Sequence, residues 1–191
     1  MKLKRVLYYL LKRPTYPNVT MKLKDFEHLD GMFERQVIAG SLTKELGSKR
    51  ILDIGSGYLP IYKYINTKAK AYEIITCVDP VLKTEKPAKN VECYGMGIED
   101  LKCDNSYDTI ILLGLAHCMG KRAYEVIDII LESSNVKYFI LEHFVCRLLN
   151  IYVERVTKNL PKLGYKRKIR FSIEYPNTPL YDKREMEIWT R

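Results

Sequence analysis

No stretch of this 191-residue chain is apolar for long enough to span a membrane, and its five cysteines include no Cys-x-x-Cys pair. An odd number (Cys77, Cys93, Cys103, Cys118 and Cys146) without that spacing argues against both a disulfide framework and a zinc site, and buried reduced thiols are expected. Residues 1–13 are basic and then apolar, but Lys12, Arg13 and Pro14 stand where a signal peptide needs small residues for cleavage. A soluble cytoplasmic protein is the expectation. Internal repeats, low-complexity tracts and domain-splitting linkers are also lacking, so the 47% apolar composition fits one α/β domain with an ample core.

Charge is what the chain has in excess, and it is unevenly placed. The formal net charge is +9, yet residues 1–24 hold seven Lys/Arg and no acid, and residues 155–191 hold ten against four acids. The middle is slightly acidic. Basic ends of this kind are either a solvated face or a phosphate-binding surface.

Residues 25–46 carry Phe26, Leu29, Phe33, Val37, Ile38, Leu42 and Leu46 at helical spacing, which predicts an amphipathic helix packed on a sheet. Strands are expected at about 50–54, 72–78, 91–94, 107–113 and 136–141, with helices after the first, around 121–131, and from Phe144 to Val156. The second strand ends at Asp79-Pro80, where proline forbids continuation. Alternation at Ile169, Phe171, Ile173 and Tyr175, and again at Met186 and Ile188, predicts an antiparallel pair closing the sheet.

The segment Arg50-Ile-Leu-Asp-Ile-Gly-Ser-Gly-Tyr-Leu-Pro60 carries the strongest chemical signal. A buried strand runs into an acidic residue and a turn in which Gly55 and Gly57 let backbone amides approach a ligand. A dinucleotide fingerprint needs a third glycine where Pro60 stands, and a phosphate-binding loop needs a Gly-Lys-Ser/Thr triplet that the chain lacks. Asp79 ends the second strand, and Ile98-Glu-Asp-Leu-Lys-Cys-Asp-Asn-Ser-Tyr-Asp108 leads into the fourth.

In this order and spacing, residues 25–191 resemble the class I S-adenosylmethionine-dependent methyltransferases. The resemblance implies a three-layer Rossmann-like methyltransferase fold with a mostly parallel seven-stranded sheet and an antiparallel last strand. It also implies S-adenosylmethionine as cofactor, with Asp53, Gly55, Ser56 and Gly57 at its methionine end and Asp79 on the ribose hydroxyls. Residues 1–24 form a basic lead outside that single domain. Leu59 stands where many members have a third glycine. Gly97 stands where many have an acid for the adenine amino group, which passes that contact to the amides of Ile98 and Glu99 or to the carboxylates of Glu99 or Asp100.

The sulfonium makes the methyl electrophilic, so such an enzyme mainly aligns an acceptor and excludes water. Where the acceptor must lose a proton, the candidates follow the fourth and fifth strands: His117, Glu142 and His143. Cys118 as a thiol nucleophile and Tyr58 over the sulfonium by cation–π attraction are lesser candidates. The expected acceptor is a small molecule or RNA, phosphate-bearing if the basic termini serve it; oligomeric state is open. Base methylation of DNA and the lysine–aspartate–lysine–glutamate 2′-hydroxyl chemistry find no matching motif. The alternatives are an inactive binding subunit with this fold and an aminocarboxypropyl transferase using the same cofactor.

Overall fold

A computed structural model describes residues 33–57, 59–65, 71–101, 106–114, 136–144, 156–174 and 183–191. Helix α1 (Phe33–Glu45) precedes strand β1 (Arg50–Ile54), and a 3-10 turn (Ile61–Tyr64) precedes β2 (Ile74–Val78). β3 (Glu85–Ala88), β4 (Val91–Tyr94), a second 3-10 turn (Ile98–Asp100), β5 (Thr109–Leu113) and β6 (Tyr138–Phe144) follow. A third 3-10 turn (Leu160–Leu163), β7 (Lys166–Glu174) and β8 (Lys183–Thr190) complete the order. The strands form one sheet in the order β3-β4-β2-β1-β5-β6-β8-β7. β4, β2, β1, β5 and β6 pair in parallel, β8 inserts antiparallel between β6 and β7, and β3 lies antiparallel on β4.

Among the described residues the sheet thus has eight strands rather than the seven expected. The additional one, Glu85-Lys-Pro-Ala88, is polar and exposed, so it shows no apolar alternation, and Pro87 is tolerated because the strand lies at the edge. The expected helix after β1 is, within the described residues, a single 3-10 turn that Ile65 leaves in an extended conformation. Pro60, in an extended conformation, caps that turn at its amino end. Val37, expected on the buried stripe of α1, is 49% exposed, while Ile38, Ala39 and Leu42 pack inward. The basic lead and the helices expected around 121–131 and 144–155 lie outside the described residues.

β1, β2 and β5 are apolar almost throughout because both faces of the sheet are covered. One face gathers Leu52, Ile54, Ile110, Leu112, Phe139 and Leu141 against Leu160, Tyr165 and Trp189. The other gathers Ile51, Ile75, Cys77, Ile111, Leu113 and Ile140 against Ala39, Ile61 and Met186. Each such side chain contributes roughly 1.5–3 kcal/mol by leaving water. Cys77 and Cys93 are buried free thiols, paired in register across β2 and β4; the other three cysteines lie outside the described residues.

The amino ends of β1 and β5 are fastened by Asp108. Its Oδ2 accepts from the amides of Lys49 at 2.9 Å and Arg50 at 3.3 Å, and its Oδ1 from the Thr109 hydroxyl at 2.8 Å. The adjacent Tyr107 hydroxyl donates to Thr76 Oγ1 at 2.9 Å, reaching β2. The described end of the Asp-Asn-Ser-Tyr-Asp run therefore ties three strands together at the edge opposite the glycine turn. Asp108→Ala, which strands those donors, is expected to lower folding stability by about 2–3 kcal/mol, visible as a lower urea midpoint.

Candidate functional site

The carboxyl edge of the parallel strands is where this topology leaves room for a ligand, since neighbouring chain segments diverge there. At β1 the chain turns through Gly55 (φ 70°) and Gly57 (φ 54°), backbone conformations that side chains rarely adopt. Among the described residues, a methyl group built on Gly57 would meet nothing within 4 Å. Two carboxylates hold the turn. Asp53 Oδ2 accepts from the Ile61 amide at 2.8 Å, bracing the chain beyond the turn, while Ser56 Oγ donates to the Asp53 carbonyl at 2.9 Å.

Asp79 Oδ2 accepts from the Gly57 amide at 3.0 Å and its Oδ1 from the Val81 amide at 2.9 Å. The Gly55 amide donates to the Val78 carbonyl at 2.8 Å, so the turn after β1 is tied to the end of β2 from both sides. Each carboxylate oxygen has a second acceptor position beyond the backbone bond it already takes. Burial pushes Asp53 up to about 6, against the opposing donors Ile61, Ser56 and Cys77 and with added repulsion from Asp79. Burial likewise raises Asp79, while the Val81 and Gly57 amides act to lower it. Both acids are poised to ionise more fully beside a cation.

Ile98 is buried and opens the 3-10 turn after β4, where the Asp100 amide donates to the Gly97 carbonyl at 3.1 Å. The backbone of Glu99 lies in this turn; its side chain, like Tyr58, His117 and Cys118, lies outside the described residues. Asp53, Gly55, Ser56, Gly57 and Asp79 are brought together at one edge, with Ile98 following the next strand over.

Glu142 and His143, expected beyond the fifth strand, lie within it. β6 runs on to Phe144 because β8 pairs along its whole length, Glu142 against Met186 and His143 against Glu185. Strand alternation then sends the two side chains to opposite faces. Glu142 is fully buried and binds Arg184 Nη1 through both oxygens, at 2.7 and 2.9 Å, with Arg35 Nη1 of α1 at 3.4 Å. These guanidinium groups lie over Gly114, the residue that leaves β5 at φ 68°. On the other face, His143 Nε2 lies 3.9 Å from Glu185 and 3.7 Å from Glu187.

His143, Glu185 and Glu187 bring three ligand-type atoms within 4.8 Å of one another, but Arg170 binds Glu185 and Arg167 Nη1 binds Glu187 at 3.1 Å. Trp189 Nε1 donates to Glu187 at 2.8 Å. Burial acts to raise Glu187, yet the His143 and Trp189 donors and the Arg167 charge hold it below the usual carboxylate value. The carboxylates are already compensated by cations of the chain. Arg35, Arg184 and Gly114 escaped the sequence reading, because 107 residues separate Arg35 from Glu142 and 42 separate Glu142 from Arg184. No local pattern marks such a cluster.

No protein-family model matches the sequence, and neither does any curated protein. Solved structures do match in three dimensions. The Burkholderia thailandensis 1,6-didemethyltoxoflavin-N1-methyltransferase, with its substrate and S-adenosylhomocysteine bound, aligns at TM-score 0.61 and 14% identity over 99% of this chain and 86% of its own. Magnesium protoporphyrin IX methyltransferase from Synechocystis PCC 6803, with bound S-adenosylmethionine, aligns at 0.58 and 16% over 100% and 96%. The N-methyltransferase NodS from Bradyrhizobium japonicum WM9, in complex with S-adenosylhomocysteine, aligns at 0.61 and 10% over 99% and 97%. This chain has the Rossmann-like fold of the class I S-adenosylmethionine-dependent methyltransferases.

Proposed function

We propose that the protein transfers a methyl group from S-adenosylmethionine to a small-molecule acceptor. The observation that carries this reading is the glycine turn itself. Gly55, Ser56 and Gly57 are braced by Asp53 and Asp79 at the carboxyl edge of β1 and β2, and no other described residue comes within 4 Å of a methyl group built on Gly57. In this reading Asp53 and the turn amides hold the methionine end, the free acceptor positions of Asp79 take the ribose hydroxyls, and the Ile98 and Glu99 amides face the adenine. When bound, the cofactor supplies the electrophilic methyl. The chain supplies orientation and exclusion of water, and His117 takes a proton where the acceptor must lose one. Glu142, held by two arginines, anchors them rather than acting as a base, and His143 is assigned no proton transfer.

Calorimetric titration with S-adenosylmethionine and S-adenosylhomocysteine tests the cofactor assignment, and absence of binding to both at millimolar concentration overturns it. Adenosylhomocysteine as product distinguishes methyl transfer from aminocarboxypropyl transfer, which leaves methylthioadenosine. Binding without turnover in the presence of cell extract favours a non-catalytic subunit. Exposed Lys166, Lys168 and Lys162 on and beside β7 supply the basic surface an RNA acceptor would need. Affinity for RNA that falls steeply with salt would replace the small-molecule reading.

The raised Asp53 gives a pH signature. A carboxylate with its folded value near 6, against an ordinary 3.8, stabilises the free protein most below 3.8 and loses that contribution as pH rises through 6. A cationic ligand end favours the ionised form, so binding is expected to release a proton between about pH 4 and 6 and to weaken as pH falls through that window. Titrations in buffers of different ionisation enthalpy read the proton directly; a buffer-independent heat at pH 5.5 counts against contact with Asp53.

A further inference from the structure

We propose that Cys77 and Cys93 form a modification site, in which a hydroperoxide joins the two thiols as a disulfide and thereby weakens cofactor binding at the glycine turn. The disulfide site stands on its own geometry; its effect on the cofactor rests on the methyl-transfer reading. Strand register sets Asp53, Cys77 and Cys93 in one row across β1, β2 and β4. In-register neighbours share a face, and Ile51, Ile75, Cys77, Val91 and Cys93 pack together on one side of the sheet. A carboxylate and two thiols therefore stand side by side, with the carboxylate at the turn.

Neighbouring strands lie about 4.8 Å apart, within the Cα separations that a disulfide bridges. Their β-carbons follow that spacing, beyond the ~3.8 Å of a relaxed disulfide, so the bond has to draw β4 toward β2. β4 has room to give, because its outer neighbour among the described strands is β3, four residues long, largely exposed and shifted in register. Both thiols are buried, but partly buried Tyr62, Leu82 and Ala88 form the outer cover of the cluster that holds them. Local opening of such an edge admits a molecule as small as a peroxide. A bond made under strain is also readily reduced again.

The Cys77 thiol lies between Cys93 and the Asp53 carboxylate and can donate its one proton to either. Donation to Cys93 holds that thiol below its ordinary value, against its burial, and pushes Cys77 well up. Cys93 is therefore the nucleophile. Its sulfur attacks one peroxide oxygen, the O–O bond breaks, and a water leaves with the Cys93 proton, so that a sulfenic acid remains. The Cys77 sulfur then displaces the hydroxyl, which leaves as a second water with the Cys77 proton. The thiols lose two electrons and the peroxide gains them. Asp53 thereby loses a donor, which disfavours the ionised form that a cationic ligand end requires, while β2 is pulled at Cys77, two residues before Asp79.

The test treats the full-length protein with millimolar hydrogen peroxide, caps the remaining thiols with iodoacetamide in denaturant, and digests with trypsin. Lys83 and Lys89 part the two cysteines, so mass spectrometry reads a disulfide as a joined pair of peptides. Calorimetry with S-adenosylhomocysteine follows the reduced, the oxidised and the dithiothreitol-treated protein, for the parent, Cys93→Ser and Cys93→Val. The parent is expected to yield the Cys77–Cys93 pair, to lose affinity roughly tenfold or more on oxidation, and to regain it on reduction. Both variants, shown to be folded by thermal midpoints near the parent's, should keep their affinity in peroxide. Alkylation of both cysteines after peroxide, or their joining to other cysteines instead, overturns the proposal. So does a Cys77–Cys93 disulfide that leaves affinity unchanged, or an equal loss of affinity in the oxidised variants. A Cys77–Cys93 disulfide in a protein whose reduced form binds no adenosylhomocysteine would keep the modification site and remove the methyl-transfer reading together with the link to it; binding by the reduced parent without the disulfide would do the reverse.

Discussion

Glu142→Ala is expected to destabilise the protein by about 3–5 kcal/mol, the range for removing one partner of a buried ion pair. The substitution leaves Arg184, almost fully buried, without the carboxylate that now holds its Nη1 from two sides, and it releases Arg35 as well. The cost comes chiefly from the cation left in a dry environment, not from the small loss of packing volume. The double variant Glu142→Leu/Arg184→Met removes both charges and should therefore recover much of the loss. Urea denaturation of the three proteins measures it. A single-variant loss under 1 kcal/mol would mean that water or another group compensates Arg184 once the carboxylate is gone.

Asp79→Ala should bind S-adenosylhomocysteine about a hundredfold more weakly, a loss of roughly 2.7 kcal/mol, in the range for hydrogen bonds to a charged acceptor. Two effects add in the same direction. In the proposed complex the ribose hydroxyls lose their acceptor, and the Gly57 amide loses the Oδ2 bond at 3.0 Å that sets the turn. Asp79→Asn keeps the shape and one acceptor oxygen, so an intermediate loss separates the two effects. Because burial raises Asp79 above its ordinary value, its ionised form is a burden to the free fold. The alanine variant should accordingly remain folded, with a thermal midpoint near that of the parent. Parent-like affinity in Asp79→Ala would remove Asp79 from the cofactor site and leave it only the role of fastening the turn.

The glycine turn was legible because its requirements are local. Positive φ at Gly55 and Gly57 and the apolar run before them follow from a few consecutive residues. The Asp-Asn-Ser-Tyr-Asp run was legible as a marker of the fold, but its part in the structure was not. Asp108 and Tyr107 fasten the amino ends of the strands, whereas the proposed chemistry lies at the other edge. His143 and Glu142 were read as loop residues because the apolar run of β6 stops at Leu141. The strand continues because β8 supplies hydrogen bonds along it, and a partner some forty residues away leaves no trace in the local pattern. β3 was missed for the same reason: its polar residues are a strand only because β4 pairs with them.

The sequence by itself determined the order of the five parallel strands, their burial and the turn at Gly55 and Gly57, since apolar runs and glycine's backbone freedom act over a few residues. Tertiary structure alone decided which charges meet. Pairing β8 between β6 and β7 drove Arg184 beneath the sheet edge, and packing α1 on β5 brought Arg35 to the same carboxylate. Electrostatic attraction in a dry interior depends on distance in space, and distance along the chain carries no record of it.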